Sequence, residues 1–285
     1  MKRGKKIMAW VLGVVAILIL SIVMWFNISY SPMKSTFEKL TKVQILKMKP
    51  INEVFTTEDT SKLPSPVQKY FIYCGYIGTP KMSNMKAYYK NVDFVQSSKK
   101  LKIDYIHYNF VDQPERIALI DTSMKGIPFE GIDSYQNGIG SMKGVIAKGI
   151  TLFNEKGDAM NKASLVDCLA EGFLMPNLLL QDYIKWEEID ETHTKATITS
   201  YGISASGIFV FDTSGAMISF TTDDREYNDG NGKTQKAKWS AVCEDYEDIN
   251  GIKYPKTLKG IWHLDTGDLI YFHSRNMVIE YNVTE

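Results

Sequence analysis

The sequence predicts a mainly β protein of the α+β class: a curved antiparallel half-barrel of about ten strands with two covering helices, preceded by one transmembrane helix. Three observations lead to this prediction. A long uncharged apolar run lies near the N-terminus, many later segments are rich in aromatic and β-branched residues between turn residues, and two helical patterns interrupt those segments.

Residues 7–28 are the predicted membrane-spanning segment. They contain no charged residue over 22 positions, which as a helix is about 33 Å and enough for a hydrocarbon core of about 30 Å. No small-x-small cleavage site follows in WFNISYSP, which favours an uncleaved signal anchor over a secretory signal peptide. The basic flank MKRGKK, residues 1–6, predicts a cytoplasmic N-terminus, a single-pass cell-membrane protein and a C-terminal domain outside.

The charge of the exported part argues against nucleic acid as a partner. Without the four basic residues of the flank, 29 Lys and Arg face 33 Asp and Glu, a net charge of about −4. The three cysteines, Cys74, Cys168 and Cys243, have no CxxC spacing and lie in apolar patterns. Buried thiols are favoured, although an oxidising compartment would permit one disulfide bridge.

Residues 29–62 are predicted to form a juxtamembrane stalk. The segment STFEKLTKVQILKMK begins with Ser35 and Glu38 at capping-box spacing, and the polar stretch FTTEDTSK follows it. No low-complexity linker divides the remaining chain. We therefore expect residues 63–285 to form one extracytoplasmic β-rich domain.

Two short helical patterns interrupt the strands. In LPSPVQKYFIYCG, Ser65 suits the N-cap, Pro66 suits the first helical position, and Gly75 ends the helix. In SLVDCLAEGFLMPNLLLQDY, the helix begins near Ser164 and Pro176 breaks it before a second short turn. Helices this short need a sheet against which to pack their apolar faces.

The predicted strands are joined by turn-like sequences such as DTSG, DGNG, ING and DTGD, which are typical of antiparallel hairpins. The strand segments are residues 87–95, 101–111, 116–124, 144–153, 195–201, 207–211, 216–222, 236–246, 254–264 and 269–281. The four histidines lack ligand spacing, and GIGSMKG departs from the dinucleotide fingerprint. We therefore predict no metal site and no cofactor.

Three carboxylates are the candidates for catalysis. Asp167 and Glu171 are four residues apart on a predicted helix, so both face the same side of a helix that is otherwise apolar. Asp133 in GIDSYQNGIG is the third candidate. Together they would serve an envelope hydrolase through acid–base chemistry. The alternative is that the helical pair forms a solvated face.

Aromatic residues predict a binding hollow. They alternate along the strands, so those on one face line whatever the curved sheet encloses. A long sheet under two short helices leaves part of its concave face uncovered. The candidate ligand-binding residues are Phe173, Trp186, Phe209, Phe211, Trp239 and Trp262. Core packing is the alternative for each of them.

Several blocks of the chain resemble a known group of proteins. LPSPVQKYFIYCGYIG, DSYQNGIGSMKG, DCLAEGFLMPNLLL, NGIKYPKTLKGIW and YFHSRNMVIEYN are similar, in this order, to an uncharacterised family of bacterial membrane-anchored proteins with a domain of unknown function. The order of elements is also similar to lipoprotein-carrier half-barrels of the LolA and LolB type, which hold acyl chains against an apolar concave face.

The second resemblance implies a function without catalysis, namely binding of a lipid, a lipoprotein acyl chain or another apolar envelope ligand. Two alternatives stay open from the sequence. One is an envelope hydrolase that uses the three carboxylates, and the other is a protein-binding or sensory ectodomain without a cavity.

Overall fold

The structure, a computed structural model, describes residues 2–96, 99–229 and 234–284. The α-helices of these ranges are α1 (Lys2–Asn27), α2 (Pro32–Lys47), α3 (Thr57–Thr60), α4 (Ser65–Tyr73) and α5 (Asp158–Glu171). Two short 3-10 turns, Gly172–Leu174 and Pro176–Leu180, follow α5.

The described strands are β1 (Asn84–Gln96), β2 (Lys99–Phe110), β3 (Glu115–Met124), β4 (Ile127–Gln136), β5 (Ile139–Ile146), β6 (Ile150–Lys156), β7 (Ile184–Glu188), β8 (His193–Ser200), β9 (Ile203–Phe211), β10 (Met217–Thr222), β11 (Glu226–Asn228), β12 (Thr234–Lys236), β13 (Lys238–Ile249), β14 (Ile252–Leu264), β15 (Gly267–Ser274) and β16 (Met277–Tyr281).

Within the described ranges, fourteen strands form one antiparallel sheet in the order β6-β5-β4-β3-β2-β1-β15-β14-β13-β10-β9-β8-β7, with β16 also paired to β1. Strands β11 and β12 form a separate two-stranded antiparallel sheet, and most of the predicted turn DGNG between them lies outside the described residues. The predicted fold class is confirmed: the protein is mainly antiparallel β, with an open curved sheet, few helices and a long apolar helix at the N-terminus.

The predicted strand over residues 144–153 is wrong, because the chain turns back in its middle. Ala147 and Lys148 adopt φ angles of +54° and +62° and separate β5 from β6. Strand β4 had no counterpart in the prediction, since Pro128 and Gly131 break its apolar alternation. It nevertheless pairs along its whole length with both β3 and β5.

Both predicted helices are present, but their first turns differ from the prediction. Helix α4 begins at Ser65, one residue earlier than expected, and the backbone N–H of Ser65 donates to Glu188 Oε2 at 2.8 Å. Helix α5 begins at Asp158 rather than near Ser164, directly after Gly157, whose φ of +114° favours glycine. Neither start has a side-chain cap hydrogen bond.

The main core lies on the concave face of the sheet, beneath α4, α5 and the 3-10 turns. Tyr70 and Phe71 of α4 and Leu165 of α5 are almost fully buried there. The hydroxyl of Tyr70 donates to the carbonyl of Phe173, which joins α4 to the turn after α5. The three cysteines are free and buried, as their apolar surroundings in the sequence predict.

The segment predicted as a stalk contacts the sheet. Met33, Phe37 and Ile45 of α2 are buried in a second core on the convex face. Lys34 Nζ also lies 2.6 Å from Asp121 Oδ2 of β3. The sheet partners of α2 in this core are Tyr108, Phe110, Ile117, Leu119, Ile132 and Val145. Helix α2 thus fixes the point at which α1 joins the β-rich part.

Helix α1 is the one helix in the described ranges that is long and apolar enough to cross a membrane. Its apolar side chains are exposed, including Trp10 and Met24, whose exposed fractions are 77% and 70%. An exposed apolar surface of this length is stable in lipid but not in water. The sequence predicts a membrane span over residues 7–28, nearly all of which lie in this helix.

We expect the concave core to account for much of the stability of the β-rich part. Phe71→Ala removes a fully buried ring and should lower the free energy of unfolding by about 3–5 kcal/mol. Ile72→Ala is the matched control, because the neighbouring Ile72 is 67% exposed and its loss should cost less than about 0.5 kcal/mol. Urea unfolding in detergent measures both values, and equal costs would contradict the assigned faces of α4.

Candidate functional site

The concave face is not completely filled by side chains. A cavity of about 190 Å³ lies between the C-terminal half of α5 and strands β1–β5 and β13–β15, and we call it the inner cavity. Its apolar wall includes Phe94, Ile103, Ile120, Leu258 and Phe272. Apolar walls with a few polar groups are typical of sites for small ligands.

A second cavity of about 450 Å³ adjoins the first, and we call it the outer cavity. The two cavities share Phe94, Met142 and Tyr271 in their walls. The outer cavity reaches the protein surface at Leu152 and Glu155, whose side chains are exposed. Its other apolar lining residues are Val95, Leu101, Met124, Phe129, Phe153, Trp262 and Leu269.

Six charged side chains line the inner cavity. Lys259 pairs with Glu244, and the other five are Arg116, Asp133, Asp167, Glu171 and Arg225. We refer to these five as the charged cluster. Within this cluster, the side chain of Arg116 is only 3% exposed. Its Nη1 donates to Asp133 Oδ2 at 2.7 Å, and its Nε donates to Glu171 Oε2 at 2.8 Å. Arg116 therefore joins β3, β4 and α5, and its desolvation is offset by two carboxylates.

Glu171 has further partners on strand β2. Asn109 Nδ2 donates to Glu171 Oε2 at 2.9 Å, and His107 Nδ1 lies 3.3 Å from the same oxygen. On its other side, His107 Nε2 lies 3.2 Å from the hydroxyl of Tyr89. Glu171 thus accepts hydrogen bonds that anchor the C-terminal end of α5 to the sheet.

Arg225 lies against two tryptophans at the opposite side of the cluster. Its guanidinium carbon is 4.5 Å from the ring centroid of Trp239 and 5.4 Å from that of Trp262. Its Nη1 donates to Asp167 Oδ1 at 2.5 Å, whereas its buried Nε has no hydrogen-bond partner among the described residues. Cation–π contacts of this kind hold a guanidinium in an apolar setting.

The two carboxylates of α5 have opposite pKa shifts. Burial raises the pKa of Asp167 to about 6, since the nearby Asp133 and Glu171 add to the effect and the two arginines offset only part of it. Burial would also raise the pKa of Glu171, but Arg116 and His107 outweigh it and hold that pKa well below its usual range. The cluster has three carboxylates for two guanidinium groups, and a proton on Asp167 removes the excess negative charge.

The three carboxylates that the sequence singled out converge on one cavity. Asp133, Asp167 and Glu171 line it together, and neither helical carboxylate lies on a solvated face, since their side chains are only 16% and 20% exposed. Phe173 and Trp239 line the same inner cavity, and Trp262 lines the outer one.

The other three candidate binding residues lie in the filled part of the core. Phe209 is 5.6 Å from Trp186 and 6.4 Å from Phe211, measured between ring centroids, and Phe211 is 5.9 Å from Tyr70 of α4. Trp186 Nε1 also donates to the carbonyl of Leu179. Phe209 and Phe211 are buried and Trp186 is partly buried, so these aromatics pack on protein.

Sequence reasoning missed both arginines of the charged cluster. The alternation along β3 carried a signal, because Arg116 shares its face with Ala118 and Ile120, which are buried. A charged residue at such a position needs a buried partner of opposite charge. Arg225 had no comparable signal, because it lies in the polar stretch DDREYNDGNGK. No group of His, Cys, Asp and Glu in the described ranges has a geometry that could hold a metal ion.

We expect loss of Arg116 to be strongly destabilising. Arg116→Met leaves Asp133 and Glu171 without their guanidinium partner and should lower the free energy of unfolding by about 3–5 kcal/mol. The control is Arg275→Met, whose exposed pair with Asp93 should contribute less than about 1 kcal/mol. Urea unfolding provides the comparison, and similar costs for both variants would show that the cluster does not stabilise α5.

We expect Asp167 to make stability depend on pH. The pKa of Asp167 is about 6 in the folded state, whereas its ordinary value is 3.8. As pH rises between these two values, the unfolded state gives up this proton first, so the folded state becomes less stable relative to the unfolded state. The Asp167→Asn variant should therefore gain stability relative to the unmodified protein between pH 4 and pH 7, by at most about 3 kcal/mol.

The matched control for this pH dependence is Asp224→Asn. Lys162 and Ser206 lower the pKa of Asp224 despite its burial, so this variant should lose relative stability as pH rises. The slope for Asp224 lies below its ordinary pKa of 3.8, so unfolding free energies are measured from about pH 2 to pH 7 to test both slopes. A slope of the same sign for the two variants would contradict the assigned environment of Asp167.

Similar proteins are found among the solved structures, whereas a search of curated proteins found no match. Among solved structures, a LolA superfamily protein from Nitrosomonas europaea is 8% identical, with 76% of this chain and 94% of that chain covered and a TM-score of 0.40. A DUF1329 family protein from Desulfovibrio piger is 11% identical, with 72% and 88% covered and a TM-score of 0.33.

A family model covers most of the β-rich part. The model described as a family of unknown function, DUF6544, matches residues 53–274. This match confirms the resemblance to an uncharacterised family that the sequence blocks carry. The chain belongs to the DUF6544 family of unknown function.

Proposed function

We propose that this protein is a membrane-anchored binding protein that holds a lipid, an acyl chain or another apolar envelope ligand in the inner and outer cavities. The main observation is that two adjoining cavities lie on the concave face: the inner one, mainly apolar, beneath the C-terminal half of α5, and the outer one, with apolar and polar lining residues, beside it. The outer cavity alone lies within the range of about 300–1,000 Å³ that is typical of ligand pockets. The protein performs no catalysis in this proposal.

The energetics of an apolar ligand suit such walls. Each methylene group transferred from water to an apolar site contributes about 0.8 kcal/mol, so a medium-length acyl chain needs no charged anchor for useful affinity. The shared residues Phe94, Met142 and Tyr271 allow one chain to extend from the outer into the inner cavity. A ligand there replaces water against Leu101, Phe129 and similar side chains.

The location proposed for the protein is the cell membrane. Helix α1 spans the bilayer once, the basic residues before it keep the N-terminus in the cytoplasm, and residues 63–285 form a domain outside. Trp25 and Tyr30 at the end of the span suit the outer membrane–water interface. Such an anchor holds the binding cavities beside a supply of lipid.

The hydrolase alternative has one observation in its favour, the convergence of Asp133, Asp167 and Glu171 on the inner cavity. Their hydrogen bonds argue for a binding role. Arg116 engages Asp133 and Glu171, and Arg225 engages Asp167, so each carboxylate is held by a guanidinium rather than directed at a substrate. The inner and outer cavities argue against the other alternative, a protein-binding ectodomain without a cavity.

We expect a tryptophan in the outer cavity to reduce ligand binding. Leu269→Trp adds an indole where Leu269 lines this cavity, and it should weaken binding of a fluorescent fatty acid about tenfold or more. Ile270→Trp is the matched control, because the next residue of β15 is 44% exposed on the other face. Fluorescence titration in detergent measures both variants, and thermal unfolding confirms that each is folded.

Two outcomes of the titration count against the proposal. Failure of the unmodified protein to bind any acyl probe would show that the cavities are not a site for apolar ligands. Equal affinities for Leu269→Trp and Ile270→Trp would place the bound probe elsewhere on the protein.

A further inference from the structure

Lys148, at the tip of the β5–β6 hairpin, contacts the end of the membrane helix. It is only 5% exposed, and its Nζ donates to the carbonyl oxygens of Trp25 at 2.8 Å, Ile28 at 2.6 Å and Tyr30 at 3.2 Å. The same Nζ lies 5.6 Å from the ring centroid of Trp25. Carbonyls at a helix C-terminus have no partners within the helix and carry partial negative charge, so a lysine suits this place.

The neighbouring β3–β4 hairpin lies beside the same helix end. Phe26 and Ile28 line a surface depression together with Ser123 and Pro128 of this hairpin and with Lys148. The remainder of α1 is exposed, so the helix leaves the β-rich part at these two hairpins. The anchor and the hairpins therefore meet at one end of the sheet.

The sequence of α1 sets the level of the membrane surface. Ile28 is the last residue of the uncharged apolar run, and Trp25 and Tyr30 are the amphipathic aromatics beside it. Such aromatics lie at the headgroup level of a bilayer. Because Lys148 and Pro128 lie next to these residues, the two hairpins lie at the same level.

Both hairpins expose apolar side chains to their surroundings. Ile127 of the β3–β4 hairpin is 38% exposed, and Ile150 and Leu152 of the β5–β6 hairpin are 62% and 52% exposed. Exposed lysines accompany them: Lys125 lies at the tip of the β3–β4 hairpin, and Lys99 of β2 lines the outer cavity together with Leu152. Apolar side chains flanked by lysines are complementary to a bilayer with anionic headgroups.

The same two hairpins also form the wall of the outer cavity. Met124 and Phe129 belong to the β3–β4 hairpin, and Leu152 and Phe153 belong to the β5–β6 hairpin. The cavity reaches the surface at Leu152, which is one of the exposed apolar residues at membrane level. A lipid would thus cross only the width of a hairpin to pass from the bilayer into the cavity.

We infer that the tips of the β3–β4 and β5–β6 hairpins dock on the bilayer that α1 crosses, and that the outer cavity takes its ligand directly from the adjacent leaflet. The partner of the two hairpin tips is the lipid bilayer rather than another protein. The entry route rests on the proposed function, whereas the docking of the hairpins does not.

Labelling at single cysteines tests the docking. The native cysteines, Cys74, Cys168 and Cys243, are at most 4% exposed, so a cysteine introduced in place of Ile150 can be labelled selectively in the folded protein. The full-length protein carries an environment-sensitive fluorophore at this site and is reconstituted in phosphatidylcholine vesicles with added phosphatidylglycerol. Lipids with a spin label on the acyl chain then serve as the quencher.

The control label replaces Ile249, which is 50% exposed at the opposite end of the β13–β14 strand pair. The length of β14 places it roughly 40 Å from the end of the sheet that carries the outer cavity. We expect strong quenching for the Ile150→Cys label and none for the Ile249→Cys label. Equal quenching at the two positions would overturn the docking.

The entry route is tested by the rate of lipid transfer. The Ile127→Asp/Ile150→Asp variant, whose two positions lie outside the walls of both cavities, should slow transfer of a fluorescent lipid from vesicles to the protein at least tenfold, whereas Ile249→Asp should not change it. Affinity for the same lipid in detergent should stay unchanged in both variants, which shows that folding and cavities are intact. An unchanged transfer rate in the double variant would overturn the route.

Failure of this inference is distinguishable from failure of the proposed function. If the label at residue 150 is not quenched but Leu269→Trp weakens ligand binding, the result supports the binding function and contradicts entry of the ligand from the membrane. If the label is quenched but no acyl probe binds, the hairpins dock on lipid and the cavities serve another purpose.

Discussion

The structure depends on one constraint, which is that the concave face of the sheet is larger than its helices can cover. Fourteen described strands curve around α4 and α5, which have only 9 and 14 residues. At β7–β10 the helices and the 3-10 turns fill the concavity with aromatic side chains. Towards the hairpins of β1–β6 the cover is incomplete: the inner cavity lies beneath the C-terminal half of α5, and the outer cavity lies beside it, with Tyr227 of β11 in its wall.

The charged cluster marks the boundary between the filled and unfilled parts. Arg116 binds Asp133 of the sheet and Glu171 of α5, so the C-terminal end of the helix cannot move into the cavity without breaking buried ion pairs. Breaking such pairs is costly, although forming them adds little net stability. The cluster therefore keeps the inner cavity open and gives it one polar wall, with Asp167 poised to change its charge near pH 6.

Local patterns predicted the elements whose signals lie within a few residues of each other. The uncharged run of α1, the proline start of α4 and the alternating strands are of this kind. The charged cluster is different, because Arg116 and Glu171 are 55 residues apart and Arg225 and Asp167 are 58 residues apart. Only the folded sheet brings them together. The turn at Ala147 and Lys148 was missed because both residues adopt positive φ angles, which residue types such as alanine and lysine rarely adopt.

The central claim is that the uncovered concave surface holds an apolar ligand in the native protein. Native mass spectrometry of the full-length protein, released from its own membrane with a mild detergent, tests it most directly. The account predicts a stoichiometric additional mass that dissociates as a lipid or other apolar molecule. A spectrum that shows only the bare polypeptide in several mild detergents and in lipid nanodiscs would contradict it.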